Sequence, residues 1–174
     1  MIAKKIYLAP YSEQWPVEFE KEKGILLQTI GDWVQDIQHV GSTAIPGLSA
    51  KPVIDIMIGV RSLEEADQYC VPRLKALGYD YIHKYEVELP NRRYFQKTSK
   101  QGARTHQIHL VEINSEWWER HLLFRDYLRS HPEIAKEYEQ LKKSLAEKYS
   151  DTNEYANAKT SFIRAIETKA QEKK

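Results

Sequence analysis

The stretch from His39 to Val60 constrains the fold more than any other part of the chain, because a Gly41-Ser42 turn leads into an apolar strand carrying one charge. Glycine tolerates positive φ and has no Cβ, so a Gly-Ser pair at a strand end brings backbone N–H groups and a hydroxyl close to phosphate oxygens. Alternation along residues 53–60 sets Asp55 on one face with Val53, Met57 and Gly59, while Ile54, Ile56, Ile58 and Val60 take the other. A carboxylate on such a strand needs a metal, a cation or a backbone N–H as partner. Pairing with Lys51 or capping a loop is the structural alternative to holding a ligand.

The chain has 174 residues, enough for one domain with a real core and too few for two large ones. No repeat or linker interrupts it, so one domain is expected over 1–174, with a sheet core at about 31–113 and a helical segment at about 115–172. A helix is predicted over 12–30, with Pro16 in its first turn and Gly31 past its end. Strands follow at 34–40 and 53–60. Ser62 and Glu65 have capping-box spacing and open a helix over 63–77 that Gly78 ends. Residues 79–87, 92–98 and 104–113 are rich in Tyr, Ile, Val and Phe and read as sequential antiparallel strands.

From Ser115 onward the period lengthens to about 3.6 residues, and Trp117, His121, Phe124 and Leu128 share one stripe. Caps at Ser130, followed by Pro132 and Glu133, and at Asp151 divide this region into three helices. The class is α+β: a mixed sheet with flanking helices and a helical C-terminal third.

With 26 Lys+Arg against 25 Asp+Glu, the net charge is +1, and no global field steers the chain onto nucleic acid or an anionic membrane. This argues against nucleic acid as a partner. No stretch approaches the roughly 18–20 apolar residues of a membrane span. The single cysteine, Cys70, excludes an internal disulfide and reads as a small buried hydrophobe. A start without a signal-peptide apolar core makes the cytoplasm the expected location.

Further candidates lie downstream. His106 and His109 are three apart on one strand and point to opposite faces unless a bulge intervenes, so only one reaches Asp55. His109 shares a face with Gln107 and Val111, and Glu112 lies with His106 on the other. A lone strand histidine is commonly a hydrogen-bonded structural residue, which competes with a ligand role for His109. Arg92 and Arg93 offer forked donors to phosphate, and alternation leaves one of them as ordinary surface. Lys159 and Tyr155 sit one turn apart on the last helix and face one way. Arg125 and Asp126 read as a structural ion pair.

The run from Gly41 to Ile56 resembles the signature of the GrpB-like family, which is assigned to the nucleotidyltransferase fold. The likeness continues through Arg92-Arg93-Tyr94-Phe95, residues 105–112, residues 124–129 and residues 155–159, in order along nearly the whole chain. The resemblance implies a nucleotidyltransferase-like mixed sheet, with Gly41, Ser42, Lys51, Arg92, Arg93, Tyr155 and Lys159 around a nucleotide or phosphorylated small molecule. It implies Asp55, with His109 or Glu112, as ligands of Mg²⁺ or Mn²⁺, and Asp55, Ser42 and Lys159 as the catalytic set.

Active enzymes of this fold resemble one another in an Asp-x-Asp pair that holds two ions, and here the second position is Met57. Two ions about 3.5–4 Å apart need bridging carboxylates, and a thioether is a poor ligand for a hard cation. Two functions follow from the resemblance. One is a metal-dependent nucleotidyltransferase with an acceptor that the motifs do not name; the other is a catalytically silent module that binds a nucleotide or phosphometabolite. Members of the family are found fused to a dephospho-coenzyme-A kinase, which fits a metabolic nucleotide as ligand.

Overall fold

The structure, a computed structural model, describes residues 5–173. The N-terminal reading for Met1–Lys4 lies outside these residues.

A long helix, α1 (Gln14–Ile30), leads into strand β1 (Val34–Val40), and β2 (Ile54–Val60) returns antiparallel to it. Helix α2 (Leu63–Ala76) starts where expected, with the Ser62 hydroxyl accepting from the Glu65 N–H at 3.3 Å. Strands β3 (Asp80–Tyr81), β4 (Arg92–Thr98) and β5 (Arg104–Glu112) complete a five-stranded sheet in the order β1-β2-β5-β4-β3. β5 runs parallel to β2 and antiparallel to β4, so the sheet is mixed.

One sheet face is the main core. Ile54, Ile56, Ile58, Phe95, Ile108 and Leu110 lie under Trp15, Phe19, Leu26 and Ile30 of α1 and Ala66, Cys70 and Leu74 of α2. Each fully buried aliphatic side chain contributes roughly 1.5–3 kcal/mol, which is why register along β2 is strongly specified. At its rim the buried carboxylate of Glu22 accepts from the Tyr79 hydroxyl and the Lys97 ammonium, each at 2.7 Å. Burial alone raises the Glu22 carboxyl, but the bonds from Lys97 and Tyr79 outweigh it and hold it below the ordinary glutamate value. A depressed folded pKa stabilises above the unfolded value and loses that contribution as pH falls through the folded one. Glu22→Gln is therefore expected to cost on the order of 2 kcal/mol at neutral pH. The gap to wild type in urea unfolding should close in acid; a gap independent of pH would contradict the assignment.

Two expected elements differ. The strand expected over 79–87 pairs with β4 only at Asp80 and Tyr81. Past a last bond from the Ile82 N–H to the Tyr94 carbonyl of β4, the backbone satisfies itself locally, Glu86 N–H to His83 and Leu89 N–H to Tyr85, while the Tyr81 hydroxyl donates to Glu86. This curl carries Lys84 and Tyr85 over the sheet. The C-terminal third has four helices rather than three: α3 (Glu116–Ser130), α4 (Pro132–Lys148), α5 (Thr152–Ala158) and α6 (Thr160–Glu172). Lys159 breaks the last segment, its N–H turning back to Ala156 and Asn157. Ser130 does not cap α4; its hydroxyl bonds back to Asp126 and Tyr127, and the joint falls at His131, which Pro132 bars from helix.

The other sheet face is covered at one end only. Trp118 of α3 lies on Val40, Met57 and Val111, and a Cβ on Gly59 would come within 2.8 Å of its ring. The helices α3, α4 and α6 form a second cluster that clasps Ile45 and Leu48 of the loop after β1. The rest of this face is the floor of a cavity.

Candidate functional site

The loop after β1 is built to approach Asp55. Gly41 has φ 75° and ψ −176°, a conformation essentially confined to glycine, and a Cβ there would meet Asp55 Oδ2 at 2.5 Å. His39 Nε2 lies 2.9 Å from Thr43 Oγ1, which donates to the Val53 carbonyl at 3.1 Å. The Thr43 proton being spent on Val53, His39 must be the donor to Thr43. Burial pushes His39 down to about 4, so it does this as a neutral ring. The loop is thus tied to the start of β2 beside Asp55.

Asp55 sits in a row with Val40 of β1 and Gln107 of β5. Its Oδ1 is 3.3 Å from His109 Nε2, and the other ring nitrogen, Nδ1, is 3.1 Å from Arg92 Nη1. A guanidinium only donates, so Nδ1 accepts and Nε2–H points at Asp55. Burial lowers the His109 pKa further, which favours this neutral tautomer. Both nitrogens of His109 are therefore engaged within the protein.

Opposite this floor stand the helices. Tyr155 of α5 is buried, with Lys159 Nζ 4.4 Å and Lys51 Nζ 5.4 Å from its ring centroid, and its hydroxyl has no hydrogen-bond partner. Lys142 of α4 is 1% exposed, and its ammonium donates to the Ser49 carbonyl. Burial, reinforced by Lys159, lowers Lys142 to about 7; burial, reinforced by Lys51, lowers Lys159 to about 8. Ser42 neighbours the Tyr138 hydroxyl beneath them.

Most of these groups, though not His39, Ser49 or Tyr138, line a cavity of about 700 Å³. Its cations are Lys51, Lys84, Arg92, Arg104, Lys142 and Lys159, and Asp55 is its lone carboxylate. Elsewhere four arginines and lysines of intermediate or full burial meet acids: Arg93 with Asp67, Lys97 with Glu22, Arg120 with Glu167, Arg125 with Asp126. None of the six cavity cations has a carboxylate within 4.0 Å among the described residues.

The structure brings Gly41, Ser42, Lys51, Asp55, Arg92, His109, Tyr155 and Lys159 to this cavity and leaves two candidates outside it. Arg93 points to the opposite face and is held by Asp67 through two bonds of 2.7 and 2.9 Å. Glu112 is exposed and pairs with Val60, five residues along β5 from the row of Asp55, which puts it roughly 16 Å away along the strand. It supplies no further carboxylate. Met57, on the Asp55 face, is fully buried beneath Trp118. Among the described residues no three His, Cys, Asp or Glu side chains gather as metal ligands. With one carboxylate, an engaged histidine and surrounding lysines, the donor set does not fit a two-ion centre.

Lys142 was not among the candidates, yet its signal is visible in the sequence. The buried stripe of α4 reads Ala135, Tyr138, Lys142, Ala146, a lysine at a core position of an amphipathic helix. Trp117 and His121 share the expected stripe of α3 but face the cavity, while Trp118 and Leu128 fill the core. Their rings stack, and burial lowers His121 to about 3, which makes it a neutral plate behind Trp117.

A mixed five-stranded sheet whose first loop and second strand meet in a cavity under C-terminal helices defines a nucleotidyltransferase-like fold. In keeping with this, the MgATP-bound Cid1 poly(U) polymerase aligns with a TM-score of 0.54 at 16% identity, over 79% of this chain and 44% of that one, a likeness of fold alone. The chain belongs to the GrpB family: residues 5–169 match the family described as GrpB protein. It is 44% identical over 165 residues to the glutamate-rich protein GrpB of Alkalihalophilus pseudofirmus, covering 93% of this chain and 94% of that protein. The crystal structure of the conserved protein GrpB from Enterococcus faecalis aligns with a TM-score of 0.84 at 36% identity, over 96% of this chain and 98% of that one. No helix among the described residues is long and apolar enough to cross a membrane.

Proposed function

We propose that the chain binds a nucleoside polyphosphate or a closely related phosphorylated small molecule, and that lysines rather than a pair of metal ions neutralise its phosphates. The observation that carries this is the set of six cations without ion-pair partners among the described residues, around a single carboxylate, in a chain whose net charge is only +1. Lys84 is exposed, but Lys51, Arg92, Arg104 and Lys159 are half-buried and Lys142 is buried; holding these five unpaired cations out of water is costly, and a polyanion that enters the cavity relieves that cost. Lys51, Lys142 and Lys159 are the polyphosphate end, with Ser42 and the unpartnered Tyr155 hydroxyl as donors beside them. A half-open cavity of about 700 Å³ is of the size that takes a small molecule.

A titration series of adenosine, AMP, ADP and ATP tests this. Affinity is expected to rise with each phosphate, by at least about tenfold from adenosine to ATP, and the rise should flatten in Lys159→Met. Equal binding of adenosine and ATP, or no binding of either, would overturn the reading. Because Lys142 and Lys159 lose protons near pH 7 and 8 and a polyanion binds their charged forms, affinity should fall as pH rises from about 7 to 9.

The alternative is nucleotidyl transfer, favoured by the placement of Asp55 against the Gly41-Ser42 turn. Mg²⁺ or Mn²⁺ would then arrive on the phosphates, with Asp55 its protein ligand, and Lys159 and Ser42 would meet the charge of the departing pyrophosphate. Pyrophosphate release from a nucleoside triphosphate, lost in Asp55→Asn, would decide for it.

A further inference from the structure

We infer that Arg92 reads a second oxyanion, a phosphate monoester or a carboxylate, at the aromatic end of the cavity, apart from the polyphosphate held at the lysine end. The inference rests on the nucleotide reading above and adds a second anionic group to the ligand set. Arg92 starts from the same Arg-Arg pair as Arg93, but the two have opposite fates. Arg93 is closed by both oxygens of Asp67, whereas among the described residues no carboxylate lies within ion-pair distance of Arg92. Its guanidinium lies 4.8 Å from the Tyr94 ring centroid and 5.8 Å from that of Trp117, one Nη1 proton goes to His109, and its buried Nε has no partner. A planar fork fixed against aromatic rings, with donors to spare, matches the two oxygens of a carboxylate or phosphate.

The two ends are built on different groups. The Arg92 guanidinium reaches His109, whose Nε2 faces Asp55, whereas Lys51 and Lys159 flank the Tyr155 ring and Lys142 meets the Ser49 carbonyl. The charges felt at Lys142 are Lys159, Glu139, Lys51 and Lys143, and none of these acts on Arg92, which feels Tyr94, Tyr85 and Asp55. The charge of Asp55 acts on Lys51 and Lys159 as well as on Arg92, and it repels an anion that would bridge the two ends.

Calorimetric titration of the ATP-saturated protein with inorganic phosphate and, separately, with acetate tests this. One equivalent of one of these anions should bind, and which one identifies the chemistry. Arg92→Met should weaken that anion at least tenfold and weaken ATP less; Lys159→Met should show the reverse order. Arg92→Lys, which keeps the charge and loses the fork, should fall between, and it guards against a folding defect in the methionine variant. If neither anion binds the loaded protein, or both Arg92 variants bind it like wild type while ATP still binds, the inference fails and the nucleotide reading stands. A protein that binds no ATP overturns both.

Discussion

Lys142→Met should raise the melting temperature of the ligand-free protein and cost it polyphosphate binding in the same substitution. The lysine is 1% exposed, donates to one carbonyl, and among the described residues has no carboxylate in ion-pair range. Burial first, then Lys159 and Lys51, bring it down to about 7 from the ordinary 10.5. Between those values the unfolded chain binds more protons than the folded one, so stability rises with pH across that window. Below about 7 the full cost of a buried ammonium is present in the wild type. Methionine keeps most of the stem's packing and gives up the bond to Ser49, worth about 1 kcal/mol. A net gain on the order of 2 kcal/mol is expected at pH 6.5, about 5 °C in Tm for a domain of this size, shrinking as pH rises toward 10. A melting temperature that falls at every pH would show that Lys142 supports the fold rather than the ligand.

Gly41→Ala should have the opposite sign and a similar size. The backbone at φ 75° disfavours any side chain, and the new methyl would press on Asp55 Oδ2 at 2.5 Å. A loss of roughly 2–4 kcal/mol is expected, along with weaker ATP binding as Asp55 and the loop shift. Asp55→Ala in the same chain removes the carboxylate from the contact and should recover at least about 1 kcal/mol, measured as a coupling in a double-mutant cycle. Gly47 is the control: its φ is also positive, at 81°, but nothing lies within 4 Å, so Gly47→Ala should cost only the backbone strain. Equal costs at the two glycines, with no coupling to Asp55, would contradict the close approach.

What was legible in the sequence was mostly local. The alternation of β2 placed Asp55 and Met57 together, that of β4 separated Arg92 from Arg93, and the cap at Ser62 opened α2 where expected. The errors arose where long-range partners decide. Residues 83–87 have strand composition, but local turns and the Tyr81–Glu86 bond curl them away from β4. Glu112 had the right chemistry, but the parallel register with β2 sets it at Val60, far from Asp55. The cation cluster was the least visible feature. Lys51, Arg92, Lys142 and Lys159 come from four separate elements, and a nearly neutral sequence hides the local excess that folding concentrates.

The central claim is that this pocket neutralises phosphate with lysines, and calorimetric titration of ATP at pH 7.5, once with EDTA and once with excess Mg²⁺, tests it most directly. Run in two buffers of different ionisation enthalpy, the titration also counts protons. The predicted result is binding in EDTA at an affinity within a few-fold of that with Mg²⁺, with net proton uptake as Lys142 and Lys159 become charged. Binding that appears only with Mg²⁺, without proton uptake, would contradict it.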